Sequence, residues 1–230
     1  MTEQFIAVVP AAGVGARMGA AIPKQYLTLQ GKTVIEHTLA VLLSHPRIAQ
    51  VVVALGPQDD WFEDLPIAQE ASLLRAAGGK ERADSVLAGL QLCQDYHWVL
   101  VHDAARPCLT HADIDNLINT ALKTDHGAIL GCQVRDTMKR TDADSNIIAT
   151  VERDQLWHAL TPQMFPVTLL TGALTKGLAA AENITDEASA IEFLGLSPKM
   201  VVGRADNIKI TRPEDMPLAE LYLQLQRDDE

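Results

Sequence analysis

Five short apolar runs punctuate the chain: FIAVV (5–9), VVVAL (51–55), WVLVH (98–102), AILGCQV (128–134) and MVV (200–202). Amphipathic stretches separate them, so the pattern predicts buried, mostly parallel strands alternating with helices that cover both faces of one α/β sheet. Helix starts carry their own signals. Thr33 with Glu36 and Thr110 with Asp113 have capping-box spacing, and Thr211 is followed by Pro213 and the reciprocal acid Glu214. A helix over 83–92 would put Val86, Leu87 and Leu90 on one face, and a last helix is expected over 214–226.

One segment breaks this rhythm. Residues 136–165 contain two alternating stretches, TMKR and NIIATVE, around the turn-like DADSN. The pattern predicts a β-hairpin arm projecting from the α/β body. Ile147, Ile148 and Val151 on such an arm would be exposed apolar surface, which calls for a partner to cover it. No repeat or linker divides the chain. The expected organisation is a single domain over 1–230, with 136–165 as the dimerisation arm of a homodimer.

Composition narrows the class. A chain of 230 residues fits one α/β domain. With 47% hydrophobic and 21% charged residues it needs no disulfide or metal to hold a core. No apolar run has the length of a membrane span, and the N-terminal MTEQFIAVVP lacks the basic region of a signal peptide, so the cytoplasm is the expected location. A net charge of −11 argues against broad nucleic-acid binding. It leaves room for an anionic small substrate, because a few cations focused in one cleft set the local field. Cys93, Cys108 and Cys132 form no CxxC or His/Cys cluster, so they read as reduced small hydrophobes rather than zinc ligands.

The first apolar run delivers the chain into AAGVGARMG (11–19), followed by Pro23 and Lys24. Small residues let main-chain N–H groups approach an anion closely. The dinucleotide fingerprint fails because the third glycine comes one residue late, and the Walker pattern fails because Ala20 follows Gly19. What remains is a phosphate loop with two cations at its end: Arg17, which can fork onto phosphate oxygens, and Lys24, stiffened by Pro23. A second close-approach site is GGKERADSV (78–86), where Ser85 sits on the first turn of a helix. A third is VHDAARP (101–107), which puts Asp103 at the end of a central strand, a natural Mg²⁺ ligand beside phosphates. Arg106 there could bind substrate or simply pair with an acid, and His102 reads as structural. A fourth segment, RADNIKI (204–210), adds Asp206 and Lys209.

Together VPAAGVGARMGAAIPKQY, GGKERADSVLAGL, VHDAARP, VRDTMKR, LTPQ, TDEASA and GRADNIKITRPED resemble, in order and over about 8–215, the 2-C-methyl-D-erythritol 4-phosphate cytidylyltransferases of the non-mevalonate isoprenoid pathway. The resemblance implies a Rossmann-like nucleotidyltransferase fold, a homodimer joined through a β-arm, and Mg²⁺ as cofactor. It implies that Ala11, Ala12, Gly13, Gly15, Gly79, Ser85 and Asp103 hold CTP. Arg17, Lys24 and Lys209 would be the catalytic cations, and Asp103 and Asp206 would support the metal. Arg106, Thr137, Arg153 and Lys209 would bind methylerythritol phosphate, with Thr161 and Thr185 as further polar contacts; Thr137 and Arg153 would reach across from the partner's arm. Lys80 receives no contact. Two other readings stay open: a cytidylyltransferase for ribitol 5-phosphate or another polyol phosphate, and a nucleotide-binding regulatory protein without turnover.

Overall fold

A computed structural model describes residues 3–13 and 22–228. In chain order the elements are β1 (Phe5–Pro10), β2 (Thr28–Leu29), β3 (Lys32–Thr33), α1 (Val34–Leu43), β4 (Ile48–Leu55), β5 (Leu73–Ala77), α2 (Arg82–Leu90), β6 (Trp98–Val101) and α3 (His111–Ala121). There follow β7 (Ala128–Gln133), β8 (Met138–Thr141), β9 (Ile147–Val151), β10 (Trp157–Pro166), α4 (Val167–Ala179), α5 (Glu187–Phe193), β11 (Lys199–Val202) and α6 (Asp215–Asp228). The main sheet has seven strands in the order β11-β7-β10-β6-β1-β4-β5. All its neighbours pair in parallel except β10, which runs against both β6 and β7.

The period of two along β1 sorts its side chains between two cores. Phe5, Ala7 and Val9 pack with Ile35 and Leu39 of α1 and with Ile114 and Leu117 of α3. Ile6 and Val8 face the other way, onto Val86 and Leu90 of α2 and Leu170 and Leu174 of α4. The sheet is therefore covered on both faces, as the apolar runs predict. A smaller cluster seats α6 through Ala219 and Leu223 on Val34, Cys108 and Ile210. It draws the 207–210 segment over the end of β6, where Ile210 N–H donates to the Ala105 carbonyl at 2.8 Å.

Two capping boxes form as expected. Thr33 N–H donates to Glu36 Oε2 at 2.7 Å, and Thr110 N–H to Asp113 Oδ2 at 3.1 Å. At the last helix the acid is Asp215 rather than Glu214, accepting from Thr211 N–H at 2.8 Å and Arg212 N–H at 2.9 Å. Helix α2 ends at Leu90, two residues short of the expected 83–92.

The arm needs a larger correction. Only β8 and β9 form the hairpin, exposed along nearly their whole length, with Ile147 66% and Ile148 63% accessible. Its turn is held by Asp142, whose Oδ1 accepts from the Asp144 and Asn146 main chains at 3.0 and 2.9 Å. Residues 157–165, which the sequence places in the arm, run instead through the main sheet in β10, burying Leu160, Met164 and Phe165. Those apolar side chains gain far more in the core than on an exposed ribbon.

Among the described residues no helix is long and apolar enough to cross a membrane. Burial pushes the Cys93 and Cys108 thiols up to about 12, which fits reduced, unreactive core cysteines.

Candidate active site

Chain order reverses between β1 and β6, and ligands of open α/β sheets bind at the carboxyl edge of such a switch point. A cavity of about 290 Å³ opens there, lined on one side by Ala11, Ala12 and Gly13 and on the other by Gly79 and Ser85. The cations Lys24, Lys80, Arg82 and Lys209 and the carboxylate of Asp103 also line it.

The two small-residue walls meet closely at Gly78 and Ala12. A Cβ on Gly78 would lie 2.5 Å from Ala12 Cβ and 2.8 Å from the Leu55 carbonyl oxygen. A Cβ on Gly79 would meet Asp84 Cβ at 2.2 Å. A side chain at Gly78 would push this turn off Ala12 and the end of β4, and one at Gly79 would push it off the start of α2. Ser85 holds the turn: its Oγ accepts from Gly79 N–H at 3.0 Å and donates to the Glu81 carbonyl at 3.2 Å. Across the cleft, Gln25 Nε2 donates to the carbonyls of Ala11 at 2.8 Å and Gly13 at 3.0 Å, fixing the entry to the phosphate loop from behind. The sequence reading passed over Gln25, although it stands beside Lys24 in the same PKQY turn. Gly15 and Arg17 lie outside the described residues.

Asp103 is the electrostatic centre. Its Oδ1 accepts from Arg82 Nε at 3.1 Å, and its Oδ2 from Arg106 Nε at 3.3 Å and from Lys209 Nζ at 3.0 Å. Burial alone would raise its pKa, but Arg82, Lys209 and Arg106 outweigh that and hold the carboxyl far below the usual range. Arg106 is buried and also donates to the Asn207 carbonyl at 2.7 Å; it braces Asp103 from beneath rather than lining the cleft.

The main chain at Asp103 is fixed by a directional chain. Asp103 N–H donates to Thr161 Oγ1 at 3.0 Å, and Thr161 Oγ1 lies 2.9 Å from His102 Nδ1. The other ring nitrogen, Nε2, lies 3.1 Å from the Arg106 carbonyl, which only accepts. That assigns Nε2–H as donor and Nδ1 as acceptor from the threonine hydroxyl. Burial lowers the His102 pKa to about 4, in keeping with a neutral, structural imidazole. Thr161 is thus a buried support for Asp103.

Other expected site residues fall elsewhere. Asp206 does not join Asp103: it is ion-paired with Arg204, whose Nε donates to Oδ1 at 2.9 Å, and it does not line the cleft. Asp103 and Asp206 therefore do not both line this cleft. Among the described residues no three His, Cys, Asp or Glu side chains cluster as a metal site. Mg²⁺ needs only one carboxylate when phosphates and waters complete its shell. Asp103 fits that lesser role, since its three donors among the described residues take up three of its roughly four lone-pair positions. Thr137, Arg153 and Thr185 are exposed and do not line the Asp103 cleft within one chain.

A switch-point cleft with glycine-packed main-chain walls, and cations arranged about one strand-end carboxylate, defines an α/β nucleotidyltransferase. A sequence model of the 2-C-methyl-D-erythritol 4-phosphate cytidylyltransferase family matches residues 5–225. The chain belongs to that family. It is 64% identical to the enzyme of that name from Aeromonas hydrophila, covering 96% of this chain and 90% of the relative. With the Vibrio vulnificus enzyme identity is 56%, over 97% and 96% of the two chains. Among solved structures, a 4-diphosphocytidyl-2C-methyl-D-erythritol synthase superposes with a TM-score of 0.82 at 36% identity, covering 96% of this chain and all of the other. The Francisella tularensis cytidylyltransferase gives the same TM-score and coverage at 30% identity.

Proposed function

We propose that the chain transfers the cytidylyl group of CTP to the phosphate of 2-C-methyl-D-erythritol 4-phosphate, working as a homodimer in the cytoplasm. The observation that carries this reading is the cleft itself, two main-chain walls facing Lys24, Lys209 and Asp103. A phosphate oxygen of the acceptor attacks the α-phosphorus of CTP in line. The bond from that phosphorus to the oxygen bridging to the β-phosphate breaks, and that oxygen departs with pyrophosphate. Both reactants are anions, so cations must offset their repulsion and then stabilise the equatorial oxygens. In this reading Ala11, Ala12, Gly13 and Gly79 hold the nucleotide by close main-chain approach, while Lys24 and Arg17 face the triphosphate. Lys209 faces the acceptor phosphate, and Asp103 is the carboxylate that would hold Mg²⁺, whose chemistry when bound is to neutralise phosphate charge. Thr137 and Arg153 would complete the acceptor pocket from the partner's arm.

The test is pyrophosphate release from CTP and Mg²⁺ with methylerythritol 4-phosphate, beside ribitol 5-phosphate and a no-acceptor control. Release with the first alone is expected. Release only with ribitol phosphate would overturn the acceptor, and silence with both while CTP binds would leave a regulatory protein.

No general base is required, because a phosphate monoester has its second pKa near about 6. Asp103, held ionised, and His102, neutral down to about 4, keep their charges between pH 5 and pH 8. The acid limb of turnover therefore belongs to the substrates' phosphates: as pH falls through about 6 the acceptor monoester gains a proton and the rate declines. A pH profile of kcat/KM checks this, and an acid midpoint above about pH 7 would point to a protein base instead.

A further inference from the structure

The TDEASA motif contributes more than Thr185. Its second acid, Glu187, is fully buried at the start of α5 and receives both ends of one guanidinium. Arg82 Nη1 donates to Oε1 at 2.6 Å and Nη2 to Oε2 at 3.0 Å, while Nε of the same group reaches Asp103 Oδ1 at 3.1 Å. Gln163, from β10, locks the turn that carries Glu187. Its Oε1 accepts from Ala188 N–H at 2.9 Å, and its Nε2 donates to Asp186 Oδ2 at 2.8 Å. The Arg82 side chain is 26% exposed on the cleft wall, whereas that of Glu187 is 1% exposed. A buried carboxylate thus restrains a cation that faces the nucleotide cleft.

We propose that Glu187 is a positioning residue for nucleotidyl transfer: it holds Arg82 against Asp103 and off the nucleotide phosphates. This leaves Lys209, 37% exposed and the outermost of the three cations on Asp103, as the one released to substrate. Without the Glu187 charge, the two Nη groups are free to turn toward the triphosphate. That adds binding to the ground state, which does not speed the chemical step. Asp103, left with fewer cations, then holds Lys209 harder.

The inference rests on the function proposed above, so its test reads CTP affinity and turnover separately. Glu187→Gln, which keeps shape and loses charge, is expected to bind CTP about threefold to tenfold more tightly by calorimetry. Its kcat for pyrophosphate release with methylerythritol 4-phosphate is expected to fall at least about tenfold. A merely structural role would weaken binding and lower the folded fraction together. Arg82→Lys cannot fork, so adding Glu187→Gln in that background should change kcat no further. Affinity no tighter than that of the parent, unchanged kcat, or additive losses in the double variant would overturn the proposal. Should Glu187→Gln not fold, Glu187→Asp must itself lower kcat, because its carboxylate falls short of Arg82; full activity there overturns it as well. A parent protein that releases no pyrophosphate sinks the functional reading instead, and the affinity comparison still decides the role of Glu187.

Discussion

Lys24→Ala is expected to lower turnover by a factor of about 10² to 10³, the usual cost of losing one contact to developing charge. The melting temperature should stay close to that of the parent. Lys24 opens a short 3-10 turn, with Pro23 fixing the backbone just before it. Its Nζ donates to the Ile210 carbonyl at 2.6 Å, which draws the ammonium across the cleft toward the segment that carries Lys209. The turn itself is held by other residues: Tyr26 is buried, and Gln25 hydrogen-bonds the phosphate loop. Removing the side chain therefore leaves the scaffold standing and takes away a charge. Lys24→Met is the sharper variant, since it keeps the aliphatic stem. Pyrophosphate-release kinetics should show both variants equally damaged, mainly in kcat, if the ammonium acts on the transition state. Near-parent turnover in Lys24→Met would remove Lys24 from the catalytic set.

The centre around Asp103 explains why so much of this site depends on distant parts of the chain. Taking a carboxylate out of water is costly unless charges and hydrogen bonds compensate for it. Here three cations do so, from α2, from the loop after β6 and from the segment before α6. Removing any one leaves the others to share a buried anion, so the cluster responds as a unit and single replacements will not add.

How much of this was legible follows from sequence separation. All five apolar runs became strands of the main sheet, because burial on both faces leaves a continuous apolar signal. β5 escaped because it is an edge strand whose Arg75 turns outward to Glu63 at 2.6 Å, breaking the apolar run. β10 lies inside the segment whose alternating TMKR and NIIATVE stretches predict an arm, and Thr161-Pro162 interrupts its own strand pattern, proline being rare inside a sheet. Of the four cations that line the cleft among the described residues, Lys24 and Lys209 are legible as charges at strand ends, and the Arg106–Asp103 pair is within reach at three residues' separation. Arg82 and Glu187 stand in quoted motifs, yet 105 residues separate them, and no local pattern announces such a pair. Asp206 stands outside the cleft lining for the opposite reason: Arg204, two residues away, pairs with it locally.

Mixing two inactive variants should restore activity, and this result would carry the shared-site reading of the arm. Thr137 and Arg153 lie at the base of the β8–β9 ribbon, exposed, with Arg153 Nη1 donating to the Arg135 carbonyl at 2.5 Å. Neither lines the Asp103 cleft of its own chain. If they serve the acceptor phosphate, they do so in a second copy, whose docking would also cover Ile147 and Ile148. Lys24→Ala disables the cleft and Arg153→Ala disables the arm, so each homodimer has two broken sites. A hybrid dimer has one site with both defects and one with neither. After equal mixing and subunit exchange, half the dimers are hybrids with half their sites intact, so activity should recover to about a quarter of the parent's. Exchange is followed independently by mass-tagged chains. Confirmed exchange with no recovery would confine the acceptor site to one chain, because a defect supplied in trans is the only kind that hybrid formation can repair.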